Sequence, residues 1–137
     1  MLSDPTIAVV EDDEDIRGNV CSYLTQSGFR AWGAESAEDF YVHLLHEHAD
    51  LVVIDISLPG EDGLSATGHL RRMDGMGIVL VTGRGGTVDM AQGLAVGADV
   101  YLPKPLELPV LVAALHSLHR RMTLMAAPAV PSPASRE

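Results

Sequence analysis

The sequence predicts an α/β fold in which a five-stranded parallel sheet is doubly wound by five helices. Three observations carry this reading. Five short, nearly continuous apolar blocks alternate with five segments of helical periodicity along 137 residues. Strands that are apolar on both faces belong to a parallel sheet covered on both sides. Polar residues gather just after the apolar blocks, at the strand ends where parallel sheets present their functional groups. Right-handed crossovers complete the doubly wound arrangement.

Each element has its own signal. Ile7 to Val10 is a β-branched first strand, ended by five acids, Glu11 to Asp15. Ile16, Val20, Tyr23 and Leu24 fall at helical spacing, and Ser27-Gly28 stops that helix. Phe29 to Ala34 is the second strand. Ser36 with Asp39 three residues on is a capping-box pattern. It opens a helix whose Phe40, Leu44 and Leu45 are expected to face inward and which should end near His48. Leu51 to Ile56 is the most hydrophobic strand, interrupted only by Asp55, and Ser57-Leu58-Pro59-Gly60 is turn chemistry. A weaker, glycine-containing helix follows from Leu64 to Met73. Ile78 to Val81 is the fourth strand, with Thr82-Gly83-Arg84-Gly85-Gly86 after it. Thr87 to Val96 is the fourth helix, closed by Gly97. Val100 to Leu102 is a short fifth strand, and Pro103-Lys104-Pro105 leads into the last helix. There Leu108, Leu111, Val112, Leu115, Leu118, His119 and Met122 share helical spacing.

Residues 1–125 are thus expected to form one domain. Residues 126–137 hold three prolines and four alanines and read as a linker or frayed tail.

Composition narrows the function. Apolar residues make up 47% and charged residues 20%, so a folded core is expected. No apolar run approaches the roughly 20 residues of a membrane span, and the start lacks a secretory signal, so a cytoplasmic protein with no membrane partner is expected. The single cysteine, Cys21, rules out an intrachain disulfide and reads as a small buried apolar residue. Nine Lys and Arg against nineteen Asp and Glu give a formal net charge of −10, which argues against direct nucleic-acid binding.

The strand ends collect a coherent chemistry. Glu11, Asp12 and Asp13 follow the first strand, Asp55 sits in the third, Thr82 follows the fourth and Lys104 the fifth. Several carboxylates in one cleft repel, so a cation is needed to keep them ionised together. All-oxygen ligands suit a hard divalent ion, Mg²⁺ first, with Mn²⁺ as a substitute. Asp55 could then act as a nucleophile toward a phosphoryl group. Thr82 offers a hydroxyl and Lys104 a mobile positive charge to the phosphoryl oxygens.

These motifs together resemble the receiver domain of a two-component response regulator. The match runs through Val9-Val10-Glu11-Asp12-Asp13, then Val53 to Gly60 with Asp62-Gly63. It continues through Val81-Thr82-Gly83, Gly97-Ala98-Asp99 and Tyr101-Leu102-Pro103-Lys104-Pro105, over about residues 5–124. Four motifs in the right order are specific where one would be weak.

The resemblance implies a flavodoxin-like strand order, 2-1-3-4-5, and a role for each matching residue. Asp55 would be the phosphoacceptor. Asp12, Asp55 and the Ser57 backbone carbonyl would ligate the metal, with Glu11 acting through water. Lys104 would pair with Asp55 or its phosphate. Thr82 would be the switch hydroxyl and Tyr101 the aromatic that turns inward with it. Gly83 would leave room for the phosphodonor, and the Lys104-Pro105 bond would be cis, a geometry that X-Pro bonds allow. The implied partner is a histidine kinase or phosphotransfer protein. The implied activity is confined to the domain's own phosphorylation and dephosphorylation, so it is not an enzyme acting on other substrates. The implied output is a changed fourth-helix, fifth-strand, fifth-helix face, available for a homodimer or for an output domain beyond this chain; a stand-alone regulator fits the tail as well.

Some positions vary or depart from the pattern. Ser57 and Arg84 flank the acceptor at variable positions and should tune the phosphate's lifetime. Val100, Val110 and Ala114 replace charged residues that hold a salt-bridged dimer in the winged-helix subfamily, leaving that face more apolar.

Plainer readings stand beside these. Asp13, Glu14 and Asp15 fit a solvated helix start. Tyr101 could be a packed edge-strand aromatic. His43 and His46 have metal-compatible spacing but no evident third ligand, so they read as surface residues with His48, while His69, His116 and His119 read as helix surface or boundary positions. Gly83 to Gly86 lacks a Walker lysine, so nucleotide binding is not expected. Two rival functions remain: an unphosphorylated interaction module with this fold, and a small aspartate-based phosphohydrolase. The latter's motif repeats an acid two residues after the nucleophile, where Ser57 stands here.

Overall fold

The computed structural model of the chain describes residues 4–73, 75–83 and 87–126. Arg84, Gly85 and Gly86 of the glycine-rich loop, and the tail from residue 127, lie outside the described residues. Five strands and five helices alternate: β1 Thr6–Val10, α1 Glu14–Gln26, β2 Arg30–Ala34, α2 Ala37–His43, β3 Leu51–Asp55, α3 Gly63–Arg71, β4 Gly77–Thr82, α4 Thr87–Val96, β5 Val100–Pro103 and α5 Leu108–Ala126. The sheet is parallel throughout in the order β2-β1-β3-β4-β5.

Side-chain alternation along the strands divides the core in two. Ala8, Val10, Val52, Ile54, Ile78 and Leu80 pack under Phe40, Ala66 and Leu70 of α2 and α3. Their neighbours Ile7, Val9, Leu51, Val53, Val79 and Val81 pack against Val20 and Leu24 of α1 and Leu111, Leu115 and Leu118 of α5. Cys21 is half-buried at the edge of this second layer, and burial raises its thiol pKa against a smaller opposing effect of Arg17.

Local chemistry starts the helices. Asp13 caps α1 by accepting from Ile16 N at 3.0 Å, and Asp62 caps α3 by accepting from Ser65 N at 2.8 Å. Ser36 caps α2 through Asp39 N at 3.0 Å, while the Asp39 carboxylate reaches back to Glu35 N at 3.2 Å, one residue earlier than a standard capping box.

Two expectations fail. α2 ends at His43, not near His48, and Leu45 is 84% exposed. After His43 the backbone tightens, with Leu45 N bonding Val42 O and His46 N bonding His43 O. These i→i−3 bonds turn Leu45 away from the sheet. Leu44 alone keeps the inward contact. Ile16, though at helical spacing, is 42% exposed.

Two glycines test how the backbone is packed. A Cβ on Gly63 would stand 2.2 Å from the carbonyl oxygen of Asp55 and 2.7 Å from Ile56 Cα, so the β3–α3 connection admits no side chain there. Gly68, in the interior of α3, has nothing within 4 Å. Gly63→Ala should therefore cost at least about 2 kcal/mol, whereas Gly68→Ala should stabilise by about 0.5–1 kcal/mol. Thermal unfolding should show shifts of opposite sign, and equal shifts would refute the packing described.

Candidate functional site

Strand register brings the polar strand ends to one edge. Val10 pairs with Ile54, Asp55 with Val81, and Thr82 with Pro103. Glu11 lies one residue beyond β1, held by its N–H to Ala34 O at 3.0 Å. Asp55 ends β3, and Lys104 follows β5 with its N–H on Thr82 O at 2.8 Å. The Lys104–Pro105 peptide bond is cis.

The charged atoms form one unit. The Lys104 ammonium donates to Asp55 Oδ2 at 2.6 Å and to Glu11 Oε1 at 3.1 Å. Asp55 Oδ1 accepts from Ser57 N at 3.0 Å, and Glu11 Oε2 from Asp13 N at 3.1 Å. Glu11 and Asp55 are only 6% and 5% exposed, while Asp12 is open to solvent. One carboxylate oxygen from each of Glu11, Asp12 and Asp55 lies within 4.8 Å of the others. This is the only group of three or more such ligands among the described residues, and it contains no histidine. Its hard oxygen donors suit a divalent cation such as Mg²⁺.

The electrostatics follow from this crowding. Burial raises the Glu11 pKa, and the nearby Asp12 and Asp55 push the same way against the Asp13 N–H and Lys104. Burial alone would lower Lys104, but its hydrogen bonds and charge attraction to Asp55 and Glu11 outweigh that and hold the ammonium above its ordinary value.

Thr82 is buried at the end of β4, two residues past Leu80 and on the same sheet face. Leu80 is the register partner of Tyr101. The half-buried Tyr101 ring lies against α4, where a Cβ on Gly93 would come within 3.1 Å of it. Thr82 and Tyr101 thus share one face, with Tyr101 set back from the acids. Gly83 is open, its nearest neighbour being Lys104 Cδ at 3.9 Å from a built Cβ. Ser57 is exposed in the loop after β3.

Sequence reasoning missed Arg17. Its guanidinium donates to the Glu11 carbonyl at 2.8 Å, and its stem crosses β2 at Gly33, where a Cβ would come within 2.8 Å of Arg17 Cδ. A glycine inside a strand is the signal that was available. A cavity of about 290 Å³ was also missed: Ile16, Asn19, Val20, Leu106 and Leu108 wall it, and Glu11, Asp55 and Lys104 line its polar part.

Among the histidines, His43, His48 and His69 contact Asp39, Asp50 and Glu61 at the surface, and His116 packs on Phe29.

The family profile described as the response regulator receiver domain matches residues 7–116. The chain belongs to the response regulator receiver family. It is 39% identical over 120 residues to protein PetR of Rhodobacter capsulatus, covering 88% of this chain and 51% of that protein. It is 38% identical over 117 residues to the transcriptional regulatory protein AfsQ1 of Streptomyces coelicolor, covering 85% and 52%. This receiver therefore spans about half the length of the curated relatives it matches. Its fold matches a CheY-like receiver domain protein from Methanospirillum hungatei with a TM-score of 0.84 at 24% identity, covering 90% and 100%. It also matches the BeF₃-activated receiver domain of DrrB with a TM-score of 0.78 at 28% identity, covering 86% and 99%. No helix among the described residues is long and apolar enough to cross a membrane.

The acids and Lys104 hold one another in opposition, and this predicts stability changes without any added metal. Lys104→Met leaves two buried carboxylates facing each other and should cost about 1–3 kcal/mol, less than a fully enclosed pair because Lys104 is partly exposed. Asp12→Asn relieves repulsion at an exposed site and should stabilise by about 0.5–1 kcal/mol. Urea unfolding in a chelator decides this; loss of stability in both variants would contradict it.

Proposed function

We propose that this receiver takes a phosphoryl group from a phosphohistidine onto Asp55. The observation that carries the reading is the buried Asp55 carboxylate, fixed by Ser57 N–H and Lys104 at the rim of a cavity that opens beside two further acids. The donor is a histidine kinase or phosphotransfer protein. Its imidazole would approach along the apolar cavity between α1 and the start of α5.

In the transfer, an Asp55 carboxylate oxygen uses a lone pair to form the O–P bond as the P–N bond to the donor imidazole breaks. The imidazole leaves with that electron pair and is reprotonated from solvent. Asp12, Asp55 and the Ser57 backbone carbonyl would hold Mg²⁺ or Mn²⁺, with Glu11 reaching it through water, and the ion supplies charge neutralisation between the acids and the phosphoryl group. Lys104 shifts its ammonium from Asp55 to a phosphoryl oxygen, and Thr82 donates its hydroxyl to another. Most of the acceleration is positioning and charge stabilisation, which the rigid strand ends provide. Hydrolysis later returns Asp55 to its free form, and Ser57 and Arg84 set its rate.

The added charge of about −1.5 to −2 shifts the balance between two packings of the α4-β5-α5 face. Movement of Thr82 toward the phosphate vacates space on the face it shares with Tyr101, and Tyr101 turns inward. The α4-β5-α5 face exposes Met90, Leu94, Val96 and Val110, which fits an apolar docking or homodimer surface. The length of the relatives fits an output domain beyond residues 126–137, with residues 1–125 as the receiver. A cytoplasmic location, no enzyme activity on other substrates and no direct nucleic-acid contact by this domain complete the reading.

Intact-protein mass after incubation with phosphoramidate tests it. Wild type with Mg²⁺ should gain one acid- and base-labile phosphoryl group, which does not form without Mg²⁺ and is absent in Asp55→Asn. No adduct in wild type that binds Mg²⁺ would favour the interaction module; an adduct surviving Asp55→Asn would refute the acceptor. Turnover of a chromogenic phosphate ester would favour the phosphohydrolase.

A further inference from the structure

The loop between β3 and α3 carries Ser57, and beyond the Ser57 N–H bond to Asp55 it is contacted by residues outside the acidic cluster. Its turn is closed by Ile56 O, which accepts from Leu58 N at 3.1 Å and from Gly63 N at 2.9 Å. Gly60 takes a positive φ of 74° and lies against the Glu38 carboxylate, 2.9 Å from where a Cβ would stand. Glu38 also accepts from Glu61 N at 3.0 Å.

The Glu61 side chain is only 17% exposed and takes three short contacts. Tyr41 Oη donates to Oε1 at 2.6 Å. Ser65 Oγ donates to Oε2 at 2.6 Å, and His69 Nδ1 lies 2.6 Å from the same oxygen. Ser65 and His69 belong to α3, which follows the loop directly. Tyr41 and Glu38 come from α2, which contributes nothing else to the site. A side chain on the loop is therefore gripped from both flanking helices.

We propose that Glu61 is a positioning residue: held by Tyr41 and braced by Ser65 and His69, it fixes the 57–62 loop in the shape that presents the Ser57 carbonyl to the metal. The proposal rests on the metal-binding reading given above. It assigns α2 a part in metal affinity, from a distance and without contact to the ion.

The protonation states support the grip. Burial would raise the Glu61 pKa, but the hydrogen bonds from Ser65, Tyr41 and His69 outweigh it and keep the carboxylate an ionised acceptor. Burial, reinforced by the Glu61 hydrogen bond and by the charges of Glu61 and Glu38, pushes the Tyr41 phenol up, so the donor keeps its proton. A charged acceptor with a neutral phenol donor makes a strong hydrogen bond.

Tyr41→Phe removes one hydroxyl and little packing. In the metal-free protein, amide hydrogen exchange at residues 58–63 should quicken relative to wild type, with the strands unchanged. By calorimetry, Mg²⁺ should bind about tenfold more weakly, the low end of the loss expected when a support behind a ligand is removed. Glu61→Ala should do the same, and the double variant should be no worse than Glu61→Ala, since both break one link. Glu61→Gln keeps an acceptor for Tyr41 and should recover part of the affinity.

Gly77→Ala is the control for general destabilisation. It crowds Leu51, Leu118 and Met122 at the far end of the sheet. It should lower the unfolding temperature and leave Mg²⁺ affinity alone. Wild-type exchange and wild-type affinity in Tyr41→Phe and Glu61→Ala would overturn the proposal. If wild type itself binds no Mg²⁺, the metal reading fails, and unchanged loop exchange in the metal-free variants then overturns the positioning role separately.

Discussion

Three carboxylates share one sheet edge, and among the described residues Lys104 is the cation that pairs with the two buried ones. Most of the architecture near the site can be traced to that constraint. Like charges this close cannot be held without a countercharge, and the ammonium reaches both buried acids at once. Lys104 in turn is delivered by β5, whose register with β4 places it beside Thr82. The fifth strand is short and half-buried, yet it is followed at once by the lysine that pairs with the acids at the ends of the first and third strands. The order β2-β1-β3-β4-β5 matters for the same reason, since it sets the two acid-bearing strands side by side.

The rest of the chain keeps that edge rigid. Two apolar layers clamp the sheet, one under α2 and α3 and the other under α1 and α5. Close packing of this kind is hard to compress and does not deform continuously, so a response needs an element with a second arrangement available. The acid side has no such slack: Gly63 sits where no Cβ fits, Arg17 pins the Glu11 carbonyl, and the loop after β3 is gripped by α2 and α3. The opposite side differs at its surface. The Tyr101 ring packs closely on α4 at Gly93, and the surface beyond is apolar and exposed.

What could be read from the chain divides along the same line. Acids and polar residues that end apolar strands are conspicuous because each violates the local pattern. Asp55 inside Val53-Ile54-Asp55-Ile56 is the clearest case. The strand alternation and glycine stops were enough to place every element, though several boundaries moved by a residue or more. The end of α2 was harder, because Leu44 and Leu45 are equally apolar and only the tightening of the backbone after His43 decides which faces inward. Arg17, Tyr41 and Glu61 were invisible for a different reason. Nothing in their type or spacing is unusual, and their roles exist only through contacts between separate elements, 20 residues apart in the case of Tyr41 and Glu61. Arg17 alone leaves a trace, the glycine at position 33 beneath it.

This division gives the proposed switch a physical basis. A site that must accept a phosphoryl group needs its acids fixed beforehand, because reorganisation during transfer would raise the barrier. A site that must also report the transfer needs a neighbour with a second arrangement to adopt. A single strand end cannot meet both demands. Here they are separated by strand: β1 and β3 carry the fixed acids, while β4 and β5 carry Thr82 and Tyr101 on a common face beside a glycine-thinned helix. Lys104 belongs to both sets. It neutralises the acids before transfer and, on the proposed reading, follows the phosphate after it, so the same charge that makes the edge stable also couples it to the α4-β5-α5 face.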